Sequence, residues 1–234
     1  MTKKEQADAL LDQFEGMLPS APALSYPADD QPGPDDALEL LVFASLLTAA
    51  KRLGVDTRWR TRAGDWDPDV LRFHRGPGEI WGNDDITHAV LAHQFRPFAR
   101  IWREAHVGTY IAGASGRHHE ADVLLIPHKE GQAARRNSTR PRPGRAVLVA
   151  EAKLYGGRLP FGHARELLGL GREVDNLERM FLCSNQGHEG SDQLLSYWFE
   201  DGGFFGDLPD DGAHNEQLET LIDEFESTLG RMQW

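Results

Sequence analysis

Two acids and a lysine on neighbouring apolar runs carry the most chemistry in this chain. The runs are His119-Glu120-Ala121-Asp122-Val123-Leu124-Leu125-Ile126 and Ala146-Val147-Leu148-Val149-Ala150-Glu151-Ala152-Lys153-Leu154-Tyr155. Each reads as a short buried strand, and charges on buried strands are costly unless something compensates them. Side chains alternate faces along a strand, so Glu120 shares a face with Asp122, and Glu151 with Lys153. If the two strands are neighbours, Asp122 and Glu151 converge with Lys153 beside them. The backbone carbonyl of Ala152 adds a further oxygen. Hard divalent cations take such oxygen ligands, and Mg²⁺ (with Mn²⁺ as substitute) uses one or two carboxylates plus waters and phosphate oxygens. Lys153 can then orient a water, neutralise developing negative charge, or act as a base if its pKa is depressed. The competing reading makes Asp122 and Glu151 strand-end acids paired with arginines.

The surrounding elements must position these groups. Residues 5–18 have helical spacing, and a proline- and aspartate-rich linker follows to Pro34. Asp35 and Asp36 suit the start of a helix across the apolar stretch Leu38–Leu53, with Gly54 as its stop. Residues 57–81 read as strand-and-turn material. Asp84 and Asp85 predict a second helix running to Arg96, broken at Pro97, with a further turn reaching Glu104. Strands are expected at 107–112, 119–126 and 146–155, with a long connection at 127–145. A helix at 162–175 serves as a crossover to a parallel strand at 180–183, and helices at 191–199 and 214–229 close the chain. The fold class is α/β, a mixed central sheet flanked by helices with extra helical segments at both ends. Residues 1–36 form an acidic helix and linker. Residues 37–234 form one domain, with a core at about 84–184 and a helical extension over 185–234.

Composition narrows the function. Cys183 is the only cysteine among 234 residues, which excludes an internal disulfide and a thiolate zinc cage and suits a reducing cytoplasm. No apolar run is long enough for a membrane span. The net charge of −12 is unevenly placed. Residues 1–36 carry eight acids against Lys3 and Lys4, and residues 200–234 carry ten against Arg231, so the middle is slightly basic. Acidic ends aid solubility; a basic centre can meet a polyanion. Asp65-x-Asp67-x-Asp69 lacks the glycine and terminal glutamate of a calcium loop. Gly169 and Gly171 lie within a helix and lead to no phosphate-loop lysine. His118 and His119 point to opposite strand faces and do not ligate one ion together.

An acid on one core strand followed by acid-x-Lys on the next resembles the PD-(D/E)XK superfamily, the restriction-endonuclease-like nucleases. Asp122 corresponds to the first acid, Glu151 to the second and Lys153 to the lysine. The resemblance covers roughly residues 84–184. The proline that usually precedes the first acid is replaced by Ala121. The resemblance implies a restriction-endonuclease-like core and a Mg²⁺-dependent DNA endonuclease, cytoplasmic, in prokaryotic antiviral defence or DNA processing. DNA is the implied substrate, with RNA less favoured. Target choice would come from a homodimer mate or a partner protein, with no membrane involved. Many members add a glutamate from the preceding helix, for which Glu104 is the weak candidate. Polar residues on the helix after the lysine often face the site, which makes His163 and Arg165, with Glu120, second-tier candidates. Arg135, Arg136, Arg140, Arg142 and Arg145 in the long connection are candidate phosphate contacts, since arginine neutralises backbone phosphates without reading sequence. The alternative is a catalytically silent scaffold or interaction subunit of the same fold, with the acidic ends as docking surfaces.

Overall fold

The computed structural model describes residues 1–26, 31–82, 84–96, 99–175, 179–199, 202–211 and 216–232. Its helices are α1 (Lys3–Met17), α2 (Pro34–Arg52), α3 (His128–Asn137), α4 (Gly162–Glu173), α5 (Glu189–Trp198) and α6 (Glu216–Arg231). Its strands are β1 (Ala23–Leu24), β2 (Asp56–Thr61), β3 (Val70–Leu71), β4 (Thr87–Arg96), β5 (Ala99–Ala112), β6 (His118–Pro127), β7 (Leu148–Lys153), β8 (Met180–Ser184) and β9 (Gly203–Phe205). Seven strands form one mixed sheet in the order β2-β4-β5-β6-β7-β8-β9. The pairs from β2 to β7 are antiparallel; β7, β8 and β9 run parallel. Helices α4 and α5 make the crossovers that parallel pairing requires.

Helices pack on both faces. One core joins α1, α2 and α6 to Val123, Leu125, Ala150, Phe181 and Cys183 of the sheet. The other joins Ala134 of α3, Leu167 of α4 and Leu195 of α5 to Leu124, Ile126, Val149 and Leu182. Helix α2 is the spine of the first layer. Pro34 sits in its first turn, where a missing N–H costs nothing. The Asp36 carboxylate accepts from the Gly33 N–H at 2.7 Å. Gly54 ends the helix at φ +72°, which a side chain would resist. Helix α1 lays Leu10 and Phe14 into the same core, so the acidic N-terminal helix packs on the domain.

The helix expected from Asp84 to Arg96, with its turn to Glu104, is instead the antiparallel pair β4–β5. Asp84 and Asp85 do not cap a helix; they pair with Arg62 and Arg72. Residues 87–92 are buried throughout, because this inner strand is covered on both faces and loses the polar–apolar alternation that marks a strand. The expected break at Pro97 lies outside the described residues. The long connection contains α3, whose buried side is only Glu130, Gly131 and Ala134.

Candidate active site

The site lies where β6 and β7 part. Their ladder runs from Leu125↔Leu148 to Val123↔Ala150 and stops there. The next pair outward would be Asp122 and Glu151. Beyond the ladder, the Ala152 N–H donates to Asp122 Oδ2 at 2.7 Å instead of to a backbone carbonyl. The N–H and C=O of one strand residue point toward the same neighbouring strand, so the Ala152 carbonyl opens on the same fork. The alternation of β6 also breaks here. Ala121 packs in the same core as Leu124 and Ile126, while Val123 and Leu125 face the other. Gly108 stands opposite Asp122 on β5 with φ +53°, its carbonyl taken by the Gly78 N–H at 2.8 Å. This irregular pair frees the Asp122 side chain to reach across to β7.

Lys153 bridges the two acids. Its Nζ is 2.8 Å from Asp122 Oδ2 and 3.0 Å from Glu151 Oε2. Side-chain exposure rises from 3% at Asp122 to 16% at Glu151 and 28% at Lys153, so the lysine sits toward the mouth. Glu151 and Lys153 line a cleft of about 170 Å³ with His119, Glu120, His163, Glu166 and Leu167. Helix α4 supplies the roof: His163 Nδ1 is 2.7 Å from Glu166 Oε2, and its Nε2 meets the Tyr155 hydroxyl.

The electrostatics are those of a crowded, poorly hydrated pocket. Burial pushes the Glu151 carboxyl up to about 8, with the Asp122 charge adding to it. Burial would lower the Lys153 pKa, but the charges of Glu151 and Asp122 win and hold it above its ordinary value. As it lies, Lys153 is therefore an ammonium and not a base. Burial and the Asp122 charge also raise Glu120.

A further acid belongs to this group. Glu39 of α2 is pushed up to about 10, first by burial and then by the Asp122 charge. Glu39 Oε2 and Glu151 Oε1 are both buried without a hydrogen-bond partner. Orphaned carboxylate oxygens are expensive and call for a ligand or a proton. The sequence carried a signal for Glu39: it is the only charged residue between Asp36 and Lys51 in an otherwise apolar helix.

The oxygens of Asp122, Glu151 and the Ala152 carbonyl suit a hard divalent cation. Among the described residues, no group of three or more His, Cys, Asp or Glu side chains lies close enough together to hold a metal ion. At this site only two such side chains, Asp122 and Glu151, meet, and the Lys153 ammonium bridges them. A cation of that kind would have to displace it.

The other sequence candidates fall elsewhere. Glu104 lies on β5, not on a helix, and pairs in register with Ile126, away from Asp122. Its buried carboxylate is taken by Arg135 at 2.5 and 2.7 Å, His128 at 2.5 Å and His106 at 3.1 Å. Burial would raise its pKa, but hydrogen bonds from His106, His128 and Arg135 hold it well below the usual range. The helix acid that feels the Asp122 charge is Glu39 of α2; Glu104 is held by its own partners. Arg165 stacks on Phe161 at 4.9 Å and does not line the cleft. Arg140 pairs with Glu79 and Arg142 with Glu130, so the connection's arginines are partly spent within the fold. Arg145 and His118 do not line the cleft, whereas His119 does.

Glu39 gives a stability prediction with a definite sign. Its folded pKa lies above its unfolded value, so the native state holds a proton that the unfolded chain releases. Native stability then falls as pH rises from about 4.5 and levels off near the folded pKa of about 10. Glu39→Gln removes this penalty. We expect the metal-free variant to be more stable than wild type by on the order of 2 kcal/mol at pH 7. Urea unfolding at several pH values should show the gap opening above pH ~5. A gap that is absent, or independent of pH, contradicts the assignment.

A scan against family models, a search of curated proteins and a search of solved structures each return no match for this chain. No helix among the described residues is long and apolar enough to cross a membrane.

Proposed function

We propose that this chain is a Mg²⁺-dependent endonuclease with a restriction-endonuclease-like core, hydrolysing phosphodiester bonds in DNA. The observation that carries the reading is the meeting of Asp122, Glu151 and Lys153 at the fork of β6 and β7, with unpartnered carboxylate oxygens beside them. Those residue types on adjoining strands are the ones the PD-(D/E)XK resemblance selects.

Asp122, Glu151 and the Ala152 carbonyl would hold the cation. When bound, it supplies Lewis-acid polarisation of a phosphate oxygen and a more acidic water. The chain's own residues do the rest. The Ala152 N–H fixes one oxygen of Asp122. Lys153, once released from the two carboxylates, brings a positive charge to the phosphoryl oxygens as their negative charge grows. Such preorganised charge acts in a partly dry cleft, where it is worth more than in water. Glu151 must lose its proton before it can bind metal, so metal affinity should rise with pH. The cellular setting we favour is prokaryotic defence or DNA processing in the cytoplasm, with a second copy or a partner supplying target choice.

The rival reading is a silent scaffold, in which the Lys153 triad is a structural ion cluster and the acidic ends are docking surfaces. It draws on the same ammonium that now closes the gap. Plasmid and linear DNA with Mg²⁺ or Mn²⁺ separate the two. The nuclease reading expects cleavage that EDTA abolishes and added metal restores. No cleavage with either metal at any pH up to about 9, above the folded pKa of Glu151, supports the scaffold.

A further inference from the structure

A second polar region lies on the same sheet face as Glu151. Arg60, Arg62, Arg135 and Arg136 line a cleft of about 480 Å³ with Gln132, Trp81, Gly64 and Gly82. Arg60 and Arg62 come from β2 and the residue after it; Gln132, Arg135 and Arg136 come from α3.

Two of the four guanidiniums are fixed in place. Arg62 is held by Asp84 and by the Glu79 carbonyl. Arg135 is held from both sides of its fork by buried Glu104. Arg60 lies against the Trp66 ring at 5.1 Å and donates to the Gly64 carbonyl at 3.3 Å. Arg136 is exposed at the end of α3. Two acids thus face four arginines, which leaves the cleft net positive in a protein of net charge −12. The forks of Arg62 and Arg135 are already engaged, so these two add positive charge and outward N–H groups, while Arg60 and Arg136, with no ion pair among the described residues, are the ones placed to take phosphate oxygens.

The sheet register places this cleft relative to Asp122 and Glu151. The Arg62 N–H bonds to the Ile86 carbonyl. The β4–β5 ladder ends at Ala89↔Ala105; its register, continued three residues, brings Ile86 level with Gly108, which lies between the Val107↔Val123 and Thr109↔Ala121 pairs and so level with Asp122. Arg62 therefore ends the transverse row that begins at Glu151, four strand spacings away, or roughly 19 Å. Arg60 lies in the row of Leu124 and Val149, on the face that α3 and α4 cover.

We propose that this arginine cleft binds backbone phosphates of the nucleic acid whose scissile bond lies at Asp122 and Glu151. This extends the nuclease reading and rests on it for the identity of the ligand. The separation corresponds to roughly five or six nucleotides of a B-form strand at about 3.4 Å each.

The test uses the full-length protein in EDTA, a short labelled DNA duplex and fluorescence anisotropy across a salt series. The probe variant is Arg60→Ala with Arg136→Ala, which leaves the Arg62–Asp84 and Arg135–Glu104 ion pairs intact. The control is Lys3→Ala with Lys4→Ala, which removes the same charge from α1. We expect the arginine double variant to lose roughly tenfold or more in affinity and to lower the salt slope by about two, and the control to match wild type. Equal losses in both variants, an unchanged arginine variant, or no binding by wild type overturn the proposal. Cleavage is scored separately with Mn²⁺. DNA that is bound through the arginines but never cut leaves the cleft standing and removes the catalytic reading.

Discussion

Lys153→Met should lower DNA cleavage by about three orders of magnitude while leaving metal binding intact or tighter. The rate term follows from removing the one cation placed to meet charge on the phosphoryl group. Losing a single preorganised donor of this kind typically costs 10²–10³ in rate, about 3–4 kcal/mol of barrier. The metal term follows from geometry. Lys153 Nζ lies within 3.0 Å of both carboxylates, where it competes with any cation for their oxygens. Methionine keeps the length of the stem and removes the competitor. Single-turnover cleavage and a Mn²⁺ titration of the same preparation check both halves. Cleavage within tenfold of wild type denies Lys153 its role, and loss of metal affinity means that the lysine supports the site instead of guarding it.

Glu104→Ala should unfold the protein more readily, by about 3 kcal/mol or more, without weakening Mn²⁺ binding. Removing one partner from a buried charge cluster typically costs 3–5 kcal/mol, because the others are left uncompensated. Here the others are Arg135, His128 and His106, with His88 stacked on His106 at 4.8 Å. Burial, with the neighbouring His106, holds His88 well below its usual pKa, and an imidazole, neutral or cationic, cannot replace the negative charge that Arg135 loses with Glu104. The same cluster explains Gly131: a Cβ there would collide with the Glu104 carboxylate. Urea unfolding reads the stability and the Mn²⁺ titration reads the site. Unchanged stability with weakened metal binding would return Glu104 to the metal centre.

Glu39 of α2 and Glu104 of β5 show where sequence reading works and where it stops. The strands carrying Asp122 and Glu151 were legible because each is a short aliphatic run with a charge near its end. The α4 crossover was legible because Ala164, Leu167, Leu168 and Val174 recur at helical spacing, and Ala164, Leu167 and Val174 are buried. Strand β4 was not legible, because Thr87 and His88 are buried beside Ala89–Ala92, so burial on both faces removes the polar–apolar alternation and leaves helix and strand patterns alike. Reading β4 and β5 as a helix placed Glu104 on the wrong element, and so offered it as the helix acid. Helix α3 was hidden by its composition: its inward side is Glu130, Gly131 and Ala134, with no large apolar residue, and Gly131 leaves room for Glu104. Glu39 was readable in principle, since a lone charge inside an apolar helix is costly unless it has a task. The flip of β6 at Asp122 was not readable, because it depends on Gly108 of a neighbouring strand adopting a positive φ.

The most direct test is anomalous scattering from crystals soaked in Mn²⁺ above pH 8, where Glu151 has lost its proton. The account predicts a Mn²⁺ peak bound by Asp122, Glu151 and the Ala152 carbonyl, with the Lys153 ammonium moved off both carboxylates. An intact Lys153 bridge, with no peak at the β6–β7 fork under saturating metal, would contradict it.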